Sequence, residues 1–141
     1  MASLEWSPAL ALDMACMDDT HREFVDLLAA VDAADDAAVP APWQALIDHT
    51  VEHFGQEDRW MQATGFGSAN CHSLQHKVVL EVMREGAASG QPAGIRQMAR
   101  ELGGWFVAHA QSMDAALALH LRSAGFDLAA ALSPPEPETA W

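Results

Sequence analysis

The sequence predicts an all-α protein: an up-down-up-down antiparallel four-helix bundle with an N-terminal arm. Half of the 141 residues are hydrophobic, which is enough for the core of one domain. Alanine and leucine are abundant whereas β-branched residues are sparse, a composition that favours helices over strands. Four segments repeat apolar residues at helical spacing and are joined by short connections, which place consecutive helices antiparallel.

The N-terminal arm is assigned to residues 1–17. Trp6-Ser7-Pro8 interrupts regular structure there, and apolar residues on both sides of it can pack on the bundle. Asp18 or Asp19 is expected to cap the first helix, which ends near Ala33. The apolar face of this helix, at helical spacing, consists of Phe24, Leu27, Leu28 and Val31.

Proline and glycine residues indicate the limits of the next two helices. Pro42 suits the start of the second helix, because the first helical turn needs no amide donor. This helix is expected to run to about Ala63 and to end at Gly65, which can adopt left-handed dihedral angles. The third helix is expected from about Cys71 to Ala88.

The fourth helix is expected from about Pro92 to Ala124, with Gly125 as its end. Gly103-Gly104 is a weak point inside it, because each glycine costs roughly 1 kcal/mol relative to alanine. The pair predicts a bend or a close approach by another helix. The bundle is therefore assigned to residues 18–125, and the proline-rich residues 126–141 are predicted to be a disordered tail.

Charge and composition limit the possible partners and compartment. The formal net charge is −13, with only seven lysines and arginines, which disfavours binding to nucleic acid or to an anionic membrane surface. The N-terminus lacks the basic region of a signal peptide, and no apolar run is long enough to span a bilayer. A cytoplasmic location is expected. Cys16 and Cys71 form no CxxC motif and are expected to be buried or half-buried thiols.

Seven potential metal ligands are distributed over the four predicted helices. They are His21, His53 and Glu57, His72 and His76, and His109 and Asp114. Residues four apart differ by about 40° around a helix, so each HxxxE or HxxxH pair points one way. The five-residue gap from His109 to Asp114 opens about 140° in an α-helix. These two residues are therefore expected to flank a centre, with the carboxylate reaching across to a second ion.

Five imidazoles and two carboxylates are too many donors for one metal ion. They suit two ions that share both carboxylates, with three histidines on one ion and two on the other. The two-histidine ion would then keep an open position. By ligand type, iron, manganese or zinc is suitable. The sequence lacks the HExxH motif of zinc proteases and the Glu-x-x-His motif of ferritin-like bundles.

On these motifs the chain resembles the hemerythrin family, specifically its single-domain bacterial members. The resemblance covers about residues 4–124 and includes all four ligand motifs in order. Met17-Asp18-Asp19-Thr20-His21 leads into the first ligand as in relatives. The stretch 53–58 reads HFGQED and resembles the family motif HFxxEE, with Asp58 where a second glutamate is common. Trp105 and Phe106 precede His109 as an aromatic-apolar pair does in the family.

The resemblance implies a centre of two non-haem iron ions. It assigns one iron to His72, His76 and His109, and the dioxygen-binding iron to His21 and His53. It also implies that Glu57 and Asp114 bridge the two irons together with a solvent-derived oxo or hydroxo group. Aromatic residues next to the ligands are implied to line an apolar oxygen pocket: Phe24, Phe54, Trp105 and Phe106.

The function implied is reversible dioxygen binding for transport, storage or delivery, for example to an oxygen-using enzyme. No catalytic residue beyond the ligands is identified, so the chain is not expected to be an enzyme. The alternative is a sensor of oxygen, nitric oxide or redox state, or a peroxide-reducing enzyme. A polar residue near the open iron, such as Thr20 or Gln56, would favour this alternative.

Two further histidines are not assigned to the centre. His49 lies one turn before His53 and is expected to be an ordinary, partly exposed histidine. His120 lies about 16 Å further along its helix than His109, too far to reach the same centre.

Overall fold

A computed structural model describes residues 3–125 and consists of helices around one long core. The helices are α1 (Ala15–Ala33), α2 (Pro40–Thr64), α3 (Ala69–Ser89), α4 (Pro92–His109) and α5 (Ala115–Ser123). A π-helical turn, Ala110–Asp114, joins α4 to α5, so that these two helices form the fourth rod. Helices α1 and α3 each contact α2 and α4. The predicted antiparallel four-helix bundle is confirmed.

Proline and glycine punctuate the bundle as the sequence predicts. Helices α2 and α4 begin at Pro40 and Pro92. Helices α2 and α3 end at Gly65 and Gly90, whose φ angles of 65° and 63° are left-handed and cost glycine little. The second and third helices each begin two residues before the predicted start.

The predicted start of the first helix is wrong by about one turn. Helix α1 begins at Ala15, so Asp18 lies inside its first turn and does not form the N-terminal boundary. The Asp18 carboxylate instead reaches back to accept hydrogen bonds from the amides of Leu12 (2.8 Å) and Met14 (3.4 Å). An acidic side chain in the first turn can accept hydrogen bonds from amides that precede the helix. It also interacts favourably with the positive end of the helix dipole.

The arm that precedes α1 is fastened to the bundle by polar contacts. The amide and the hydroxyl of Ser3 each donate to the Asp32 carboxylate over 2.6 Å. The Arg22 guanidinium lies 4.7 Å from the centre of the Trp6 ring, within the range of a cation–π interaction. Leu10, in the short 3-10 turn Pro8–Leu10, is buried in the core. These contacts hold the arm along α1.

Gly103 explains the glycine pair in α4. A Cβ atom at this position would clash with the backbone oxygen of Ser3 and lie 3.0 Å from its carbonyl carbon. The chain that approaches α4 so closely is therefore the N-terminal arm, and not another helix. Gly104 is exposed, and a Cβ atom there would meet no other atom within 4 Å.

We expect Gly103→Ala to destabilise the protein by about 1–3 kcal/mol, because the added methyl group must displace backbone of the arm. Gly104→Ala is the matched control, since it adds a methyl group in open space and gains up to about 1 kcal/mol of helix propensity. Urea unfolding of the two variants measures the difference. Equal stability of both variants would contradict the close packing of the arm.

The core has two apolar layers with a polar layer between them. One apolar layer packs around Phe24, Leu28, Trp43, Leu46 and Ile95. The other packs around Met14, Met17, Trp60, Met61, Leu117 and Leu121. Along each of α1, α2 and the fourth rod, buried histidine and carboxylate residues lie between the two apolar layers. The bundle thus encloses polar groups at the level where water is excluded.

Within residues 3–125, no helix is both long enough and apolar enough to cross a membrane. The predicted disordered tail, residues 126–141, lies outside the described part of the chain.

Candidate metal centre

All seven predicted ligands lie in the buried polar layer. The most exposed of them, His53, has only 5% of its surface accessible. Their donor atoms fall into two groups, and within each group the atoms lie within 4.8 Å of one another. The three-histidine group is Glu57, His72, His76, His109 and Asp114, and the two-histidine group is His21, His53, Glu57 and Asp114. Glu57 and Asp114 belong to both groups.

The imidazoles of the three-histidine group converge on one point. The Nε2 atom of His109 lies 3.1 Å from Nε2 of His72 and 3.3 Å from Nε2 of His76. Two nitrogen donors about 2.1 Å from one ion, at right angles, would be about 3 Å apart. The spacing of these nitrogen atoms therefore fits donors that share a metal ion.

The Glu57 carboxylate turns one oxygen towards each group. Its Oε1 atom lies 3.4 Å from Nε2 of His72 and 3.3 Å from Nε2 of His76. Its Oε2 atom lies 2.8 Å from Nε2 of His53 and 3.8 Å from Nε2 of His21. The carboxylate is therefore placed to link two ions through its two oxygens.

Asp114 divides its oxygens in the same way. Its Oδ1 atom lies 3.1 Å from Nε2 of both His72 and His109, whereas its Oδ2 atom lies 3.2 Å from Nε2 of His21. The two carboxylates thus stand between the same two groups of imidazoles. Together they give the three-histidine group five donors and the two-histidine group four.

The π-helical turn overturns the expected separation of His109 and Asp114. The expectation of about 140° assumed α-helical geometry. In the structure the chain between them, Ala110–Asp114, closes i→i+5 turns, and five residues then complete about one turn. His109 and Asp114 are consequently direct neighbours, with 3.1 Å between Nε2 and Oδ1. The carboxylate serves the group of His109 as well as the opposite one.

Burial and charge oppose each other in setting the protonation of the centre. Burial lowers the pKa of His21 and His72, but the nearby carboxylates of Asp114 and Glu57 outweigh it and raise each pKa to about 9. Burial raises the pKa of Glu57 and Asp114, yet their histidine neighbours hold both below the ordinary carboxyl range. Without metal, His21 and His72 therefore pair as imidazolium ions with these carboxylates.

The metal-free protein is expected to lose stability as the pH rises from 6.5 to 9. The folded pKa of His21 and His72 lies above the ordinary 6.5, so their contribution is complete below pH 6.5 and is lost through about pH 9. At low pH the carboxyl groups have the opposite effect. Because the pKa of Glu57 and of Asp114 is lowered in the folded protein, their contribution to stability is lost as the solution becomes strongly acidic. Melting curves of chelator-treated protein between about pH 5.5 and 9.5 measure this; a Tm that rises across the interval would contradict it.

Several buried donor atoms form no well-directed hydrogen bond with any described residue. They are Nε2 of His21, Oε1 of Glu57, and Oδ1 and Oδ2 of Asp114. Nε2 of His21 and Oδ2 of Asp114 lie within ion-pair distance, but a buried polar atom without a well-directed hydrogen bond costs about 1–3 kcal/mol, so such atoms rarely cluster without a reason. Two bound cations, one in each group, would satisfy all of them. The donor set of this layer therefore fits a metal centre.

The four predicted pocket aromatics surround the centre on different sides. Phe106 packs edge-on against His21 at 5.0 Å and stacks on Phe24 at 4.5 Å. These two rings lie beside the two-histidine group.

The other two aromatic rings cover the three-histidine group. Phe54 stacks on His76 with 3.9 Å between the ring centres and lies 5.4 Å from His53. Trp105 stacks on His109 at 4.4 Å. Trp105 therefore lies beside the three-histidine group, whereas the Phe24–Phe106 pair lies beside the two-histidine group.

Two polar residues that the sequence did not single out as functional contact the outer nitrogens of predicted ligand histidines. The Nδ1 atom of His76 lies 3.2 Å from Oδ1 of Asp58, and Nδ1 of His109 lies 2.8 Å from Oε1 of Gln75. In the sequence, Asp58 is notable only as a deviation from a motif, and Gln75 carries no signal. Gln75 directly precedes His76, but its partner lies on another helix, a contact that spacing along one helix does not predict.

The remaining histidines and cysteines lie outside both groups. His49 contacts the Glu23 carboxylate at 3.2 Å, and His120 contacts the backbone oxygen of Thr64 at 3.1 Å. Cys16 is buried as expected, whereas the expectation for Cys71 is wrong because it is exposed. Cys71 lies on the outer face of α3, since adjacent helical residues diverge by about 100° from the inward-facing His72.

Comparisons with known proteins find relatives over most of the chain. The bacteriohemerythrin of Ralstonia nicotianae is 38% identical over 130 residues, which cover 90% of this chain and 95% of that protein. The myohemerythrin of Sipunculus nudus is 26% identical over 109 residues, covering 77% and 86% of the two chains.

A solved structure shares the fold. It is a crystal structure of hemerythrin with a leucine-to-alanine substitution, which superposes with a TM-score of 0.76 at 23% identity and covers 86% of this chain and 98% of that one. The family model described as the hemerythrin HHE cation binding domain matches residues 13–120, which include all seven predicted ligand positions. From this match, and from a buried layer of five histidines and two shared carboxylates, the chain belongs to the hemerythrin family.

Proposed function

We propose that this protein binds dioxygen reversibly at a non-haem di-iron centre held by the three-histidine and two-histidine groups. The observation that carries the proposal is the unequal division of donors, five around one position and four around the other, with two shared carboxylates. Imidazole and carboxylate donors with an open position are typical of non-haem iron sites. When bound, the irons supply the electrons and the coordination position that dioxygen requires.

The donor count indicates where dioxygen binds. The chain would offer five donors to an ion held with His72, His76 and His109. It would offer only four to an ion held with His21 and His53, which leaves more room there for a ligand from solution. We therefore assign dioxygen to the two-histidine position.

Apolar packing around this position supports reversible binding. The stacked pair of Phe24 and Phe106 is buried, and the Phe106 ring packs perpendicular to the His21 ring. These rings exclude water from the open position. Proton delivery promotes the loss of reduced oxygen, so a dry pocket favours release of dioxygen unchanged.

The polar residues that would favour the enzyme or sensor alternative are engaged elsewhere. The Thr20 hydroxyl donates to the backbone oxygen of Cys16 over 2.9 Å, within its own helix. The Gln56 side-chain oxygen accepts from Arg59 over 3.0 Å. This arrangement supports a carrier, store or delivery protein rather than a peroxide-reducing enzyme. We propose an oxygen-using enzyme as the recipient.

The proposal is tested by the visible spectrum of the iron-loaded protein. The protein is reduced without air, exposed to air, purged with inert gas and exposed again. A charge-transfer band of the oxygenated centre that appears and disappears over several cycles, with two irons per chain, is the expected result. A band that decays at once to a stable ferric form would contradict reversible binding, and a colourless protein without iron would contradict the di-iron centre.

We expect Phe106→Ala to make the oxygenated form decay several-fold faster, because water then reaches the space beside His21. Phe66→Ala is the matched control: Phe66 packs against His120 at 4.8 Å, outside the centre. The decay of the visible band after oxygenation measures both variants. Equal decay rates of the Phe106 variant and the unmodified protein would contradict the role of this ring.

A further inference from the structure

The outer nitrogens of two ligand histidines have defined partners. Asp58 presents a carboxylate oxygen to Nδ1 of His76, and Gln75 presents its amide oxygen to Nδ1 of His109. Both oxygens act as acceptors, so each Nδ1 carries the proton and donates it. Nε2 of each ring then keeps its lone pair and points into the three-histidine group. Such hydrogen bonds fix the tautomer and the ring orientation that a metal requires.

The two-histidine group has no comparable support. The Nδ1 atoms of His21 and His53 are buried and have no hydrogen-bond partner within residues 3–125. In the three-histidine group only Nδ1 of His72 is in this state. Hydrogen bonds at Nδ1 therefore orient two of the three imidazoles of the three-histidine group. They orient neither imidazole of the two-histidine group.

A second hydrogen bond fixes the Asp58 carboxylate that contacts His76. The Ser73 hydroxyl donates to Oδ1 of Asp58 over 2.8 Å, so α3 holds the carboxylate that extends from α2. The Asp58 side chain is 35% exposed, which keeps it hydrated while its inner oxygen reaches the buried imidazole. A carboxylate at Nδ1 also makes the imidazole a stronger metal ligand than a neutral hydrogen-bond acceptor does.

Stacking restrains the same two imidazoles from their faces. Phe54 lies parallel to His76, with 6° between the ring planes, and Trp105 lies at 21° to His109. Each of these rings is therefore fixed both at Nδ1 and over one face before any metal binds. The ordering cost of metal binding is thus already partly met in the three-histidine group.

We propose that Asp58 and Gln75 are positioning residues that make the three-histidine position the tighter of the two and the first to be filled. Metal loading is then sequential, and the two-histidine position is completed second. This inference rests on the proposed metal centre, but it concerns the order and affinity of loading and not dioxygen chemistry.

Titration of the metal-free full-length chain with Co²⁺ tests the order of loading. Visible absorption bands of Co²⁺ and calorimetry are followed together, with a chelator as competitor. Two steps are expected, with dissociation constants that differ by about tenfold or more. His53→Ala is expected to remove the second step alone, and His109→Ala the first.

Variants of the two positioning residues test their role. Asp58→Ala and Gln75→Leu are each expected to weaken the first step by about 10- to 100-fold and to leave the second step unchanged. Asp58→Asn and Gln75→Glu keep an acceptor at Nδ1 and are expected to restore much of the affinity. Asp48→Asn is the matched control, because it removes a charge from an exposed position of α2 whose partner is Gln44.

The outcomes are separable. Equal affinity at both positions, or equal weakening of both steps by Asp58→Ala and Gln75→Leu, would overturn the inference and leave the dioxygen proposal standing. Loss of Co²⁺ affinity that merely follows a fall in the Tm of the metal-free protein, without rescue by Asn or Glu, would also overturn it. Failure of the unmodified chain to bind Co²⁺ would overturn the inference together with the metal centre.

Discussion

Glu57→Ala and Asp114→Ala are each expected to reduce the iron content from two ions per chain to one or fewer. Each substitution removes an oxygen donor from both groups, because Glu57 and Asp114 divide their oxygens between them. It also leaves buried imidazoles without their carboxylate partner, and breaking a buried ion pair costs about 3–5 kcal/mol. Iron analysis of purified variants, together with their melting temperatures, measures both effects.

Glu52→Ala is the control for these two variants. Glu52 is an exposed acid on α2, next to His53 in sequence but on the outer face of the helix. Its removal changes the net charge as the other two substitutions do, and two irons per chain should remain. Full retention of two irons in both Glu57→Ala and Asp114→Ala would contradict the bridging assignment.

Trp43→Ala is expected to destabilise the protein by about 3–5 kcal/mol. Trp43 lies in the N-terminal part of α2 and is fully buried in one apolar layer of the core. Its Nε1–H donates to the backbone oxygen of Met83 over 3.0 Å. The substitution therefore opens a large cavity and breaks a link between α2 and α3. Chemical unfolding of the metal-free protein isolates this effect from that of metal binding.

Two further variants calibrate the Trp43 result. Trp43→Phe keeps most of the ring but loses the hydrogen bond to Met83, so an intermediate loss is expected. Leu119→Ala changes a side chain that is 61% exposed and should alter stability by no more than about 0.5 kcal/mol. Equal stability of Trp43→Ala and Leu119→Ala would contradict the packing of this layer.

The bundle and the convergence of the candidate ligands could be predicted because both depend on regular helical geometry. In α2 and α3, candidate ligands four residues apart, His53 with Glu57 and His72 with His76, point into the bundle together. Gly65, with a left-handed φ angle, ends α2 where the sequence indicated. Local periodicity therefore carried enough information for the fold and for the inward-facing donors.

The relation between His109 and Asp114 could not be obtained from regular geometry. A five-residue spacing in an α-helix gives the wrong angle between the two side chains. The π-helical turn at Ala110–Asp114 makes them neighbours. The five-residue spacing between two candidate ligands was the only sequence signal of this turn. It could have indicated a π-helical turn, because such turns are frequent at functional sites.

Contacts between different elements could not be predicted from the sequence either. The hydrogen bond of Gln75 to His109 joins α3 to α4, and the approach of Ser3 to Gly103 joins the arm to α4. Neither partner lies at a helical spacing from the other. Such pairs are fixed by how whole helices pack, so only the three-dimensional structure identifies them.

Anomalous diffraction from crystals of the iron-loaded protein, measured at the iron absorption edge, tests the central claim most directly. We expect two iron peaks per chain, one bounded by His72, His76 and His109 and the other by His21 and His53, with the carboxylates of Glu57 and Asp114 between them. A single peak, or two peaks of which only one contacts both carboxylates, would contradict the shared di-iron centre.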